Sequence, residues 1–293
     1  MNNQLISLLL PTRGRPKLVE RFFQSILYTT FNLKLIEVIL YIDDDDFESH
    51  NIEFSDIQLR KIIGPRGSMG FYNTTCLKEA LGQIIILVND DMIIQTNSWD
   101  EIIRSLDKKY YDGIYLAYGN DMFKSGKLCT FPIISRTTCE ILVNPYPKKY
   151  KGAFIDYHLF DIFKRLEKNK IFRIIYLKDV IFEHLHYRSG KALMDNTYSN
   201  RNRFGDDNTF IALTQGRINI AKKIVLQIHG AKFTSSKDEF ENTTEYSYNF
   251  AVFMKIIIIK FILDKSSPFL WRVRLGIWLL LRQIYCRYLV SPE

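Results

Sequence analysis

Cysteine is sparse in this chain, and the four present, Cys76, Cys129, Cys139 and Cys286, stand too far apart to form a Cys-x-x-Cys pair. That spacing excludes a zinc knuckle and a dense disulfide framework, and reduced thiols in a cytosolic setting are the expectation. Uninterrupted apolar runs are short as well. Neither residues 250–263 nor 269–290 offer the roughly 20 apolar residues that a membrane-spanning helix requires. The opening residues Met1-Asn2-Asn3-Gln4 lack the basic stretch of a secretory signal, so export is not expected. Two familiar glycine loops are also missing. Gly64-Pro65-Arg66-Gly67-Ser68-Met69-Gly70 is followed by no Gly-Lys-Ser/Thr, no G-x-G-x-x-G occurs, and these glycines read mainly as turn residues. There is no internal repeat and no low-complexity tract.

The 293 residues, 47% hydrophobic and 25% charged, suffice for a substantial core. A formal charge of +8 suits nucleic acid, an anionic membrane surface or a phosphorylated substrate, so its distribution matters. Acidic residues nearly vanish after Phe250, where Lys255, Lys260, Lys265, Arg272, Arg274, Arg282 and Arg287 face only Asp264 and Glu293. The cations are interleaved with apolar residues and with Trp271, Trp278, Tyr285 and Tyr288, and no nucleic-acid module is visible, so no nucleic-acid partner is expected. The pattern suits basic amphipathic helices lying in a membrane interface; a packed helical subdomain or an oligomer contact is the alternative, and the oligomeric state stays open.

The first half alternates as a parallel sheet requires. Residues 5–10 are an apolar run closed by Pro11-Thr12-Arg13-Gly14-Arg15-Pro16, and Pro16 suits the first turn of a helix patterned by Leu18, Phe22, Phe23 and Ile26. Strands are expected at 35–42, ending on Asp43-Asp44-Asp45-Asp46, and at 59–63, followed by a helix near 70–81. Residues 84–91, Ile-Ile-Ile-Leu-Val-Asn-Asp-Asp, read as a buried strand stopping on one amide and two carboxylates. Next come a helix at 99–106, a strand at 113–118, two strand-like runs within 127–134, an amphipathic helix at 157–168, and strands at 172–176 and 180–182 leading into Glu183-His184-Leu185-His186. The polar stretch 235–249 divides a domain of residues 1–235 from a C-terminal helical extension, 236–293. Such alternation predicts a doubly wound, mostly parallel α/β sheet with ligands at the strands' carboxyl ends.

Several residues at those ends carry candidate chemistry. Asp90 and Asp91 are costly to hold together without a cation, though an Asn/Asp turn is the plain alternative. The acids at 43–46 are either a solvated, helix-capping loop or a contact for a base or ribose, and Arg13 and Arg15 are placed to meet phosphates or the base. Asn73 is a candidate to bridge the acids from the helix side. Of His184 and His186, two apart at a strand end, only one is expected to meet the cleft. Asp156, at a helix start, is either an N-cap or a general base.

Taken in order, Leu8-Leu9-Leu10-Pro11-Thr12-Arg13-Gly14-Arg15-Pro16, a strand ending at Asp43, and Gly67, Asn73 and Ala80-Leu81-Gly82 leading into Val88-Asn89-Asp90-Asp91 resemble the nucleotide-diphospho-sugar transferases of the GT-A fold, family 2 glycosyltransferases most closely. The resemblance spans roughly residues 4–200. It implies a Rossmann-like GT-A domain in which Pro11, Thr12, Arg13, Arg15, Asp43, Asp45, Asn73, Asn89 and Asp90 contact the donor. Asp91, with His186 or His184, would hold a divalent cation, Mn2+ or Mg2+, and Asp156 would be the catalytic base. Two departures stand out: Asn89 replaces the first acid of the D-x-D motif, and Ile155 precedes the base where the family has Glu. Asp161, in the same helix, is a possible substitute. The implied activity moves a sugar from a UDP-, GDP- or dTDP-linked donor to a glycan or lipid-linked acceptor with inversion, in surface polysaccharide or glycolipid synthesis. The implied location is cytoplasmic, peripheral on the inner face of the membrane. A sugar-phosphate nucleotidyltransferase and a non-catalytic nucleic-acid-binding protein are the alternatives.

Overall fold

The computed structural model describes residues 4–195, 202, 204–231, 238–241 and 249–288. Eight strands, β1 (Ile6–Thr12), β2 (Ile36–Asp43), β3 (Gln58–Gly64), β4 (Ile84–Leu87), β5 (Met92–Ile94), β6 (Leu116–Asn120), β7 (Ile133–Ser135) and β8 (Ile174–His184), form one sheet in the order β3-β2-β1-β4-β7-β6-β8-β5. β3, β2, β1 and β4 run parallel, as do β6 and β8. β7 is antiparallel to β4 and β6, and β5 is antiparallel to β8. The expected doubly wound, mostly parallel α/β sheet is therefore present.

Alternation along β1 divides the core between the two faces of the sheet. Leu8 and Leu10 pack with Val19, Phe22 and Ile26 of the helix Pro16–Thr29. Leu9 belongs with Ile39, Tyr41, and Leu159 and Phe163 of the helix Ile155–Leu166 on the other face.

Several boundaries differ from the sequence reading. β4 stops at Leu87, and Asp90 and Asp91 sit in a turn that returns the chain as β5, too short to be seen as a strand. The runs at 172–176 and 180–182 are one strand, β8. Its pairing shifts between Gly119 and Asn120, whose partners are Leu177 and Ile181, so a bulge broke the apparent pattern. Within 127–134 only Ile133–Ser135 supplies a strand, and the helix at 99–106 divides into Trp99–Arg104 and Leu106–Lys109. Gly64, Gly67 and Gly70 are not turn residues in the left-handed region. Gly70 lies inside the helix Met69–Glu79, where a Cβ would collide with the backbone carbonyl of Pro147. The proposed boundary stretch 235–249 falls mostly outside the described residues.

The helices Phe250–Ile257 and Phe269–Tyr288, joined through the π-helical turn Ile258–Ile262, pack against the domain. Phe253, Ile257, Phe261, Trp271, Leu275 and Leu279 join the same buried cluster as Leu159, Phe210 and Ile220. No helix among the described residues is long and apolar enough to cross a membrane.

Candidate active site

Register explains why distant residues meet. Leu9 pairs with Leu87 across β1 and β4, so three residues further on Thr12 comes beside Asp90, and the Thr12 hydroxyl donates to Asp90 Oδ2 at 2.8 Å. Thr12 likewise pairs with Ile42, so the next residues, Arg13 and Asp43, adjoin, and the guanidinium donates to Asp43 Oδ2 at 2.7 Å. Arg13 also clasps Asp45 with both terminal nitrogens. Asp45 and Asp43 together push the Arg13 pKa up. The Asp43–Asp46 run thus serves two ends: Asp43 and Asp45 hold Arg13, while Asp46 accepts from the amide of Gly14 at 2.7 Å, a residue whose φ of 63° suits glycine.

The two carboxylates of the turn after β4 have different partners. Asp90 is buried, bonded to Thr12 and to Arg15 Nη1 at 3.0 Å. Burial pushes its pKa up to about 6; the Arg15 charge opposes that rise and the Asp91 charge adds to it. Asp91 turns instead toward the end of β8. Because Met92 pairs with His184 across β5 and β8, His184 Nε2 lies 3.2 Å from Asp91 Oδ2, and the Asp91 carbonyl accepts from the amide of Leu185 at 2.8 Å.

The expectation that His184 and His186 part, with only one toward the cleft, does not hold: the backbone is still extended at His186, and residues two apart along an extended chain point to the same face. Both side chains are buried, with ring centroids 5.1 Å apart. Phe123 stacks on His186 and Phe131 meets His184 edge-on, two aromatic contacts that pattern reading did not find. The Phe123 loop is itself fixed by Asp121, which accepts from the amides of Phe123, Lys124 and Ser125 and from the Thr130 hydroxyl.

Among the described residues no group of three His, Cys, Asp or Glu stands at metal-ligating distance, so the structure contains no complete protein cage. A carboxylate beside imidazoles nonetheless fits a hard or borderline cation that completes its shell with water and substrate phosphates. His184 Nδ1, buried without a hydrogen-bond partner, is consistent with a site that expects one more occupant.

Asp156 lies in the first turn of the helix Ile155–Leu166, and the N-cap position belongs to Phe154, so the capping alternative does not hold. The Cys129 thiol donates to the Asp156 carbonyl, and Phe131, two residues on, packs against His184. The short segment Cys129–Phe131 thus touches the start of this helix at one end and His184 at the other. Asp161 cannot replace it as a base. It is fully buried, accepts from Arg165 Nε at 3.0 Å, Arg217 Nε at 2.7 Å and Trp271 Nε1 at 2.9 Å, and is an anchor of the core.

Of the other expected donor contacts, Pro11 is buried in β1 and Asn89 is half-buried. Asn73 is buried, with no hydrogen bond to Asp43 or Asp90 among the described residues, so it does not bridge these acids. Asp195 was missed. It follows β8 by eleven residues and forms a bidentate pair with Arg15 at 2.9 and 2.8 Å, a contact no local pattern announces.

No protein-family model and no curated protein matches this chain. Among solved structures it is similar to the mannosyltransferase PcManGT from Pyrobaculum calidifontis in complex with GDP-Man and Mn2+ (11% identity, 97% of this chain and 87% of that one, TM-score 0.47). It is also similar to S. aureus TarS 1–349 in complex with UDP (14% identity, 97% and 91%, TM-score 0.48). At such identities and scores the site stands on its own residues.

Proposed function

We propose that this chain is a metal-dependent, inverting glycosyltransferase that takes a nucleoside-diphosphate sugar as donor. The observation that carries the reading is the series of contacts at the carboxyl ends of the strands that joins Arg13 with Asp43, Thr12 and Arg15 with Asp90, and Asp91 with His184. Arg13 orients the Asp43 carboxylate toward a base or ribose, and Arg15, once released from Asp195, faces the diphosphate. A divalent cation held by Asp91 with His184 or His186 would offset the charge of the departing diphosphate. The acceptor hydroxyl oxygen bonds to the anomeric carbon as its proton passes to Asp156. The carbon–oxygen bond to the diphosphate breaks with its electron pair leaving on the nucleotide. Attack opposite the leaving group inverts the centre.

Residues 1–235 would hold this chemistry and 236–293 an extension bearing on a membrane surface. Leu270, Ile277, Leu281 and Tyr285 are exposed on the last helix, with Arg274 beside them. That face supports a peripheral position on the inner membrane and a lipid-linked or glycan acceptor.

Incubation with UDP-, GDP- and dTDP-sugars and Mn2+ or Mg2+ tests the reading. At least one donor is expected to bind and turn over, and Asp91→Ala is expected to lower turnover by about 100-fold or more. Failure of every donor to bind would overturn it.

A further inference from the structure

The loop before the Asp156 helix is held from outside by one carboxylate. Asp206, 1% exposed and remote in sequence, accepts from three successive backbone amides: Lys151 at 2.8 Å on Oδ1, and Gly152 at 2.9 Å and Ala153 at 2.6 Å on Oδ2. Consecutive N–H groups converging on one anion form a tight, charge-assisted cradle. The next residue, Phe154, adopts a left-handed φ of 67°, and its carbonyl accepts from His158 in the first turn of the helix. The same loop is tied on its other side to the start of the helix Met69–Glu79, through Met69 N to Lys151 O at 3.2 Å and Gly70 N to Tyr150 O at 3.0 Å. Residues 150–154 therefore space the donor side of the sheet from Asp156, and Asp206 sets that spacer.

We propose that Asp206 is a positioning residue: by holding the amides of Lys151, Gly152 and Ala153 it fixes where the helix Ile155–Leu166 begins and so where Asp156 presents its carboxylate. The inference rests on the reading of Asp156 as the base. A plain structural staple would stabilise the fold without favouring one catalytic step. A positioning role shifts the base by a fraction of an ångström to an ångström, to which proton transfer is steeply sensitive.

The test compares Asp206→Asn, Asp206→Glu and Asp156→Asn in the full chain, with the UDP-, GDP- and dTDP-sugar panel and Mn2+. Amide hydrogen exchange is read at residues 151–153. The amides should be protected in the unsubstituted protein and lose protection in Asp206→Asn. There kcat should fall about 100-fold with donor KM within about twofold, and Asp206→Glu, which keeps the charge, should recover part of kcat. Lost protection with unchanged kcat would overturn the proposal, as would a parallel fall in kcat, donor affinity and melting temperature. Should Asp206→Asn not fold, unprotected amides in the unsubstituted protein, or an Asp206→Glu variant with unaltered kcat, would overturn it equally. Wild-type turnover by Asp156→Asn would remove the base assignment on which the inference rests, and absence of turnover with any donor would remove the transferase reading, so the three failures are distinguishable.

Discussion

Asp161 and Asp156 occupy one helix, five residues apart, in opposite surroundings. Asp156 is half-buried at the helix start, whereas Asp161 is enclosed by two guanidiniums and an indole. Desolvation favours its neutral form, yet the charges of Arg165 and Arg217 and the Trp271 hydrogen bond outweigh it and hold the pKa down at about 2. A carboxylate depressed in the folded state stabilises above its unfolded pKa and loses that contribution as pH falls. The Asp161 contribution, on the order of 2 kcal/mol, should thus be complete above about pH 5 and fade between roughly pH 4 and 2. Urea midpoints followed across that range should fall more steeply for the unsubstituted protein than for Asp161→Asn. At neutral pH, Asp161→Ala leaves Arg217 buried without its carboxylate and should cost about 3–5 kcal/mol by denaturant unfolding. A loss under 1 kcal/mol would contradict the anchoring role. Which of two nearby acids is anchored in the core was not legible locally, because the answer depends on Arg217 and Trp271, far along the chain.

At the scale of elements, strands with strong apolar runs, β1, β2 and β4, were legible to within a few residues, since burial on both faces leaves an unbroken signature. β5 was not, having three residues, and with it went the reason that His184 meets Asp91. Gly70 makes the same point for helices. Its lack of a side chain lets the helix Met69–Glu79 lie against Pro147 and Lys148, a contact created by packing and not by any turn. Gly70→Ala should therefore destabilise by about 1–3 kcal/mol despite alanine's better helix propensity, and a melting temperature that rises would show that the loop yields without cost.

For the whole molecule, the C-terminal segment is part of the core as well as a surface. Phe253, Phe261, Leu275 and Leu279 are buried, Trp278 stacks on Tyr157 with centroids 4.4 Å apart, and Arg282 pairs with Asp207 at 2.6 Å. A chain ending at Asn249 would uncover several of these contacts, each fully buried aliphatic or aromatic side chain accounting for about 1.5–3 kcal/mol. It is expected to aggregate or to melt far below the full chain; melting within a few degrees would show a separable appendage. The outward face makes a different prediction. The full chain should sediment with vesicles containing anionic lipid, less so as salt rises, and Leu270→Glu with Leu281→Glu should weaken that binding at least several-fold without changing the melting temperature.

The sequence by itself determined the alternation of strands and helices, the crowding of acids and arginines at strand ends, and the basic, aromatic character of the last 44 residues, because periodicity, turn chemistry and composition are local properties. Only the tertiary structure decided that Asp90 serves Thr12 and Arg15 while Asp91 serves His184, and that Asp206 holds the loop before Asp156. The physical reason is the same in each case. Those partners are joined by strand register and loop closure over tens to a hundred residues, and a one-residue change in register would give each acid a different neighbour.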